Sequence, residues 1–359
     1  MEYNKLIQKY SDLLSISASD YMNAENSYKI YIELFDRLLI TENLEDLYNI
    51  KIDIEKENPW GNAILNEDSM FRSVARVDLP ILGPLLEKEM KSFQKQYAEE
   101  LYNNDRIDKV QILKNRFQDF EHAFDGNFEN PRVLILGINP KMNDIDHKPY
   151  NLLTVYERPF NQTRTILKSD DIKNDYYFSS SKGLFFKGMI NKNNETEVRL
   201  YNEVCNRIDS QEKITPVALW EFFPYASKSE TEWYKDMEIG HGTKAIKNYF
   251  NLRSILPSQI WMLCLLTYTI KKSVLSNEKL TIFLKKNNKE FRENFLDQYF
   301  KFLNLEELKN INILTKKNGR RKEFSYTNVK PYYKNSQWKE SDNVFDFFKN
   351  EWDIECRNN

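Results

Sequence analysis

Arg132-Val133-Leu134-Ile135-Leu136-Gly137-Ile138-Asn139-Pro140 is the stretch on which the fold turns. Its apolar run is short and uninterrupted, and a glycine stops it. That pattern marks a strand buried on both faces, as in a parallel sheet covered by helices. Downstream, the spacing predicts an amphipathic helix over Asn194 to Ile208, a second buried strand over Ile214 to Leu219 and a helix over Thr243 to Leu256. A third strand is expected over Gln259 to Leu266, followed by a helix through Ser276 and a charged helical stretch. Asn312-Ile313-Leu314 and Phe324 to Val329 read as later strands, and Asp342 to Trp352 as a closing helix. Strands alternating with helices imply an α/β fold with a mostly parallel sheet flanked by helices.

Upstream of Asn130-Pro131 the rhythm is different. Tyr28 to Leu39 carries apolar positions at helical spacing, and Leu85 to Phe124 does the same with charges interleaved. Pro59 and Leu79-Pro80-Ile81-Leu82-Gly83-Pro84 mark breaks. The expectation is an all-helical N-terminal region over residues 1–128 and an α/β domain over 129–359.

Composition narrows the function. A net charge of −2 excludes a uniformly basic nucleic-acid coat, so any such contact needs a local patch. The three cysteines (Cys205, Cys264, Cys356) and three histidines (His122, His147, His241) are scattered without metal-ligand or redox spacing, so no metal and no cofactor is expected. The most apolar run, Ile260 to Ile270, is too short to span a bilayer, and the N-terminus has no apolar signal core. A cytoplasmic protein without a membrane partner is expected.

In open parallel sheets, ligands bind beyond the carboxyl ends of the strands. Two strand ends here carry chemistry. At Gly137-Ile138-Asn139-Pro140, glycine permits a tight exit, proline stiffens the loop and Asn139 offers an amide; an ordinary Asn-Pro turn is the plainer alternative. After the Ile214 strand comes Trp220-Glu221-Phe222-Phe223-Pro224-Tyr225, where Glu221 is either a buried carboxylate that needs a donor or an exposed loop residue. Between them, Glu157-Arg158-Pro159-Phe160-Asn161 presents a ring, as a platform or as core. Near the end, Lys316, Lys317, Arg320, Arg321, Lys322, Lys330 and Lys334 alternate with Phe324, Tyr326, Tyr332 and Tyr333. Cations interleaved with rings suit a nucleic-acid groove, and a solvated hairpin would show the same pattern.

The order of these motifs resembles that of the uracil-DNA glycosylase superfamily over about residues 130–336. Gly137-Ile138-Asn139-Pro140 resembles its water-positioning motif. Arg158-Pro159-Phe160 resembles the segment that stacks a ring on the flipped base. Glu221-Phe222-Phe223-Pro224-Tyr225 is similar to an Asn-Leu-Phe-Pro-Tyr strand end, and Lys330-Pro331-Tyr332-Tyr333-Lys334-Asn335-Ser336 falls where a His-Pro-Ser-Pro DNA loop would be. The resemblance implies a uracil-DNA-glycosylase-like fold and a DNA partner. It assigns Asn139, with the Gly137-Ile138 backbone, to the attacking water, Phe160 to stacking and Glu221 to the base edge. Lys330 would be a catalytic residue, stabilising the departing base, or would grip a phosphate. Lys316, Lys317, Arg320, Arg321, Lys322, Tyr332, Tyr333 and Lys334 would bind DNA.

Three departures follow from the same residues. Glu221 stands where uracil enzymes hold Asn, Lys330 stands in place of histidine, and the four-cysteine cluster of some branches is missing. A carboxylate accepts hydrogen bonds, donates none and repels a carbonyl oxygen. It suits an exocyclic amine, as on cytosine or adenine, better than uracil. The expectation is a glycosylase for a modified or damaged amino-bearing base, cytosine-like first, of a kind found in foreign (phage) DNA. Two other classes fit the residues: a nucleoside or nucleotide N-glycoside hydrolase or transferase, and a non-catalytic nucleic-acid-binding protein.

Overall fold

A computed structural model describes residues 18–60, 75–82, 124–125, 128–129, 131, 133–138, 217–225, 242–252, 254–284, 292–305, 308, 310–316 and 329–333. Among the described residues six strands form one sheet: β1 (Phe124–Asp125), β2 (Val133–Gly137), β3 (Val217–Glu221), β4 (Leu280–Leu284), β5 (Ile311–Lys316) and β6 (Val329–Pro331), in the order β1-β3-β2-β4-β5-β6. β3, β2, β4 and β5 run parallel, and the short edges β1 and β6 pair antiparallel. Every residue of β2 and β4 is buried, which is why both read as unbroken apolar runs rather than alternating ones. The chain steps from β2 to β3 on one side and returns past β2 to β4 on the other. The direction of winding therefore reverses beside β2, the point at which open α/β sheets bind ligands.

The described helices are α1 (Ala18–Ile40), α2 (Leu44–Lys56), α3 (Thr243–Ile246), α4 (Pro257–Leu275) and α5 (Asp297–Phe302). α2 starts at Asn43, whose side chain accepts from the Asp46 N–H as an N-cap should. α4 lies against the sheet, with Trp220 Nε1 of β3 donating to the Met262 carbonyl at 2.7 Å. α1 and α2 cover its other side. Trp261 Nε1 of α4 donates to Ile54 O at 2.9 Å, and Lys271 Nζ donates to the carbonyls of Leu39 and Thr41 at the end of α1. The buried cluster runs without interruption from Tyr31, Phe35 and Ile50 through Trp261 and Leu265 to Leu134 and Ile313. It crosses residue 128.

The mostly parallel sheet with helices agrees with the sequence expectation, and four elements differ. Gln259 to Leu266 is not a strand. It belongs to the single helix α4, whose residues are buried on almost every side, so no polar stripe betrays the helical period. The strand missing from that position is β4, whose five residues lie in the segment read as charged and helical. Thr243 to Leu256 is helical only over Thr243–Ile246. The N-terminal region is not all helical, because Phe124 and Asp125 pair with Trp220 and Leu219. Leu85 to residue 123, Asn194 to Ile208, residues 214–216, Phe324 to residue 328 and Asp342 to Trp352 lie outside the described residues.

Candidate active site

β2 and β3 end together. Gly137 and Glu221 are register partners and the last residue of each strand. Beyond them the ladder continues for two more bonds, Phe222 N–H to Gly137 O at 3.1 Å and Phe223 N–H to Ile138 O at 2.6 Å. Glu221 is 1% exposed. Of its two readings, the exposed loop residue falls and the buried carboxylate stands. Its carboxylate lies across the Cα of Gly137: a Cβ added there would come 2.5 Å from Oε1 and closer still to Cδ and Oε2. Gly137 is thus required for space. Its φ lies outside the left-handed region, so the freedom to turn is not what glycine provides here.

The first turn of α4 abuts the segment leaving β3. Pro257 opens the helix, and the Gln259 side chain accepts from the Leu256 N–H at 2.9 Å while donating to Phe222 O at 3.0 Å. Phe222 also packs on Phe295, ring centroids 4.6 Å apart, and Phe295 stacks on Trp220. Rings thus support the strand end that carries Glu221.

A second carboxylate is buried nearby. Asp78 accepts the Ser258 N–H at 3.1 Å on Oδ1 and the Tyr225 hydroxyl at 2.5 Å on Oδ2, which also accepts the Ser258 hydroxyl. The Ala75 N–H donates to the Tyr225 hydroxyl at 3.0 Å. Burial holds the Asp78 carboxyl up at about 6, against the lowering effect of these donors. Burial and the Asp78 charge push the Tyr225 hydroxyl well up, so it remains a donor. Position at the start of α4 also favours the negative charge. Sequence reasoning missed Asp78, Ser258 and Gln259. The available signal was one acid inside the apolar run Val77-Asp78-Leu79-Pro80-Ile81-Leu82.

The basic–aromatic segment lies further along the same sheet. Lys330 pairs with Thr315 across β6 and β5 and is half-buried. It stands three strand positions from β2, about 14 Å at a spacing of about 4.8 Å per strand. Tyr332 is engaged by the fold: its N–H donates to Ile313 O, its hydroxyl donates to Asp297 and its ring meets Phe300 edge-on. Tyr333 packs edge-on against Tyr332. Asn139, Phe160, Lys317, Arg320, Arg321, Lys322 and Lys334, with the side chain of Lys316, lie outside the described residues. Among the described residues, no cluster of His, Cys, Asp or Glu is placed to hold a metal ion, and no helix is long and apolar enough to cross a membrane.

Fold and site together define an α/β protein with a mostly parallel sheet and a carboxylate buried at the strand ends where the winding reverses. Comparison with protein-family models, curated proteins and solved structures returns no match.

Proposed function

We propose that the chain is a DNA glycosylase that hydrolyses the N-glycosidic bond of a modified or damaged base bearing an exocyclic amine, cytosine-like first. The observation that carries this is the meeting of Gly137 and Glu221, two residues singled out separately in the sequence, at the carboxyl end of the central strand. A buried carboxylate there offers acceptors to an amine and repels a carbonyl, which separates cytosine from uracil. The target nucleotide leaves the stack, Phe160 stacks on the base, Glu221 accepts from its amine, and Asn139 with the Gly137-Ile138 backbone holds the attacking water. The bond to C1′ breaks as the sugar takes on oxocarbenium character, water attacks C1′, and the base departs to leave an abasic site. The spacing of Lys330 from β2 suits a phosphate two or three nucleotides along the strand better than the departing base. It extends the basic stretch Lys316 to Lys322 as a backbone contact. A target of this kind in foreign DNA would spare the host.

Duplexes carrying single 5-hydroxymethylcytosine, N4-methylcytosine, other modified cytosines and adenines, or uracil test this through alkali-labile sites formed on incubation. Release of an amino-bearing base with uracil spared is expected. Glu221→Gln should weaken that release by roughly 1–3 kcal/mol, the worth of one good base contact. Rapid uracil excision by the parent would defeat the role given to Glu221. Changing Arg320, Arg321 and Lys322 together to Ala should flatten the dependence of log affinity on log salt; an unchanged slope would mean that these residues form a solvated hairpin and that the groove is elsewhere.

A further inference from the structure

We infer that Asp78 is a positioning residue for the candidate active site, holding Glu221 in place through Tyr225. The geometry is a closed set of hydrogen bonds between three parts of the chain. Asp78 comes from the segment 75–82, Tyr225 from the turn after β3, and Ser258 from the first turn of α4. Asp78, Tyr225 and Ser258 are all fully buried. Both Asp78 oxygens are taken up by donors of the chain itself, Tyr225 and Ser258, so its part is positioning and not contact with the reacting atoms.

Its reach to the site is short. Glu221 is followed by three buried residues, Phe222, Phe223 and Pro224, and then by Tyr225. The near end of that segment is fixed by the Phe222 and Phe223 amides on the β2 side and by Gln259 on Phe222 O. Tyr225 fixes the far end, through one donated and one accepted bond. Removing the Tyr225 hydroxyl takes both of these bonds from the far end. Charged Asp78 is expensive to bury in this setting, and a neutral acceptor would serve helix capping at lower cost. A charge retained where it is costly fits a part in which the strength and direction of the Tyr225 and Ser258 bonds matter.

The inference deepens the glycosylase assignment and rests on it for the activity measurement, but not for the exchange measurement. Full-length Tyr225→Phe, Asp78→Asn and Glu221→Gln, with the double variant Asp78→Asn/Glu221→Gln, are compared with the parent. Hydrogen exchange of the peptide spanning 217–225 should speed up at least tenfold in Tyr225→Phe and Asp78→Asn, with 280–284 unchanged. Unchanged exchange at 217–225 in both overturns the inference. On a duplex carrying the amino-bearing base that the parent releases, both single variants should slow single-turnover release at least tenfold, with DNA affinity within twofold. Asp78→Asn should add less than a further threefold to Glu221→Gln, since the two act through one group. Equal slowing in both backgrounds marks a merely structural part and overturns the inference. A parent that releases no base, with faster exchange at 217–225 in the variants, defeats the glycosylase assignment and leaves the tether supported.

Discussion

At the scale of the residue, Gly137 and Asp78 each carry a cost that can be measured. Alanine at 137 would put a methyl group into the Glu221 carboxylate, and overpacking of this kind costs about 1–3 kcal/mol. With the carboxylate gone, the same methyl has room. In a Glu221→Ala background Gly137→Ala should become neutral or stabilise by about 0.5–1 kcal/mol, as alanine does over glycine inside a strand. Urea unfolding of the four chains reads the sign; the same penalty in both backgrounds would mean that Gly137 serves the turn, not the carboxylate. Asp78 gives a pH dependence. Its carboxyl is raised from an ordinary 3.8 to about 6, so the folded chain binds that proton more tightly than the unfolded one. The stability it contributes is full below about pH 4 and is lost as pH rises through 6, roughly 3 kcal/mol in all at about 1.4 kcal/mol per unit. The groups facing it (Tyr225, Ser258, and Tyr28 and Tyr31 from α1) stay uncharged across this range. The stability difference between parent and Asp78→Asn should therefore fall between pH 4 and 7, and a flat difference would contradict the raised carboxyl.

At the scale of the element, α4 shows where sequence and structure part. Val133 to Gly137 was legible because a short apolar run ended by glycine has few other uses, and Asn312-Ile313-Leu314 marked the middle of β5. Ile260 to Leu266 is just as apolar, and a helix enclosed by α1, α2 and the sheet erases the polar stripe that distinguishes the two. The start signals were present: Pro257 at the first helical position and Gln259 two residues on. Of the site, the sequence pointed to Gly137, Glu221 and the loop after each, because strand ends locate themselves once the strands are read. Asp78 and Ser258 meet across 180 positions, and nothing local announces such a meeting. Gln259 provides the test of this element. Gln259→Leu keeps the volume but strips a partner from the buried Leu256 N–H and another from Phe222 O. The penalty should be about 1–3 kcal/mol per group left unpaired. A variant as stable as the parent in urea would show that the first turn of α4 is not anchored by this side chain.

At the scale of the whole molecule, the issue is whether the first 128 residues form a unit of their own. The sequence pattern changes at Asn130-Pro131, yet the packing does not. Tyr31, Leu34, Phe35 and Leu38 of α1, with Leu47, Ile50 and Ile54 of α2, belong to the cluster that includes Trp261, Leu265 and the inner face of the sheet. Polar ties follow the same route: Tyr28 donates to Ile255 O at 2.5 Å, the Cys264 thiol donates to Tyr31 O at 3.3 Å, and Lys51 pairs with Glu129 at 2.5 Å just ahead of β2. Asp78 adds a tie at the opposite, carboxyl end of the strands. Removing 1–128 would expose the outer side of α4, take Ile54 O from Trp261 Nε1 and take Asp78 from Ser258 and Tyr225. The apolar surface of α4 that the α1 and α2 side chains cover would then face water, at about 1.5–3 kcal/mol for each large apolar side chain fully exposed, a loss of the same order as the net stability of an ordinary domain. A chain of residues 129–359 should accordingly keep helical circular dichroism, lose its near-ultraviolet signal, bind a hydrophobic dye and unfold without a cooperative transition. Adding back residues 1–128 as a separate chain should restore the near-ultraviolet signal, since the missing surface is complementary. A sharp urea transition for 129–359 alone, at the midpoint of the full chain, would establish two independent units and reduce the contacts of α1 and α2 to docking.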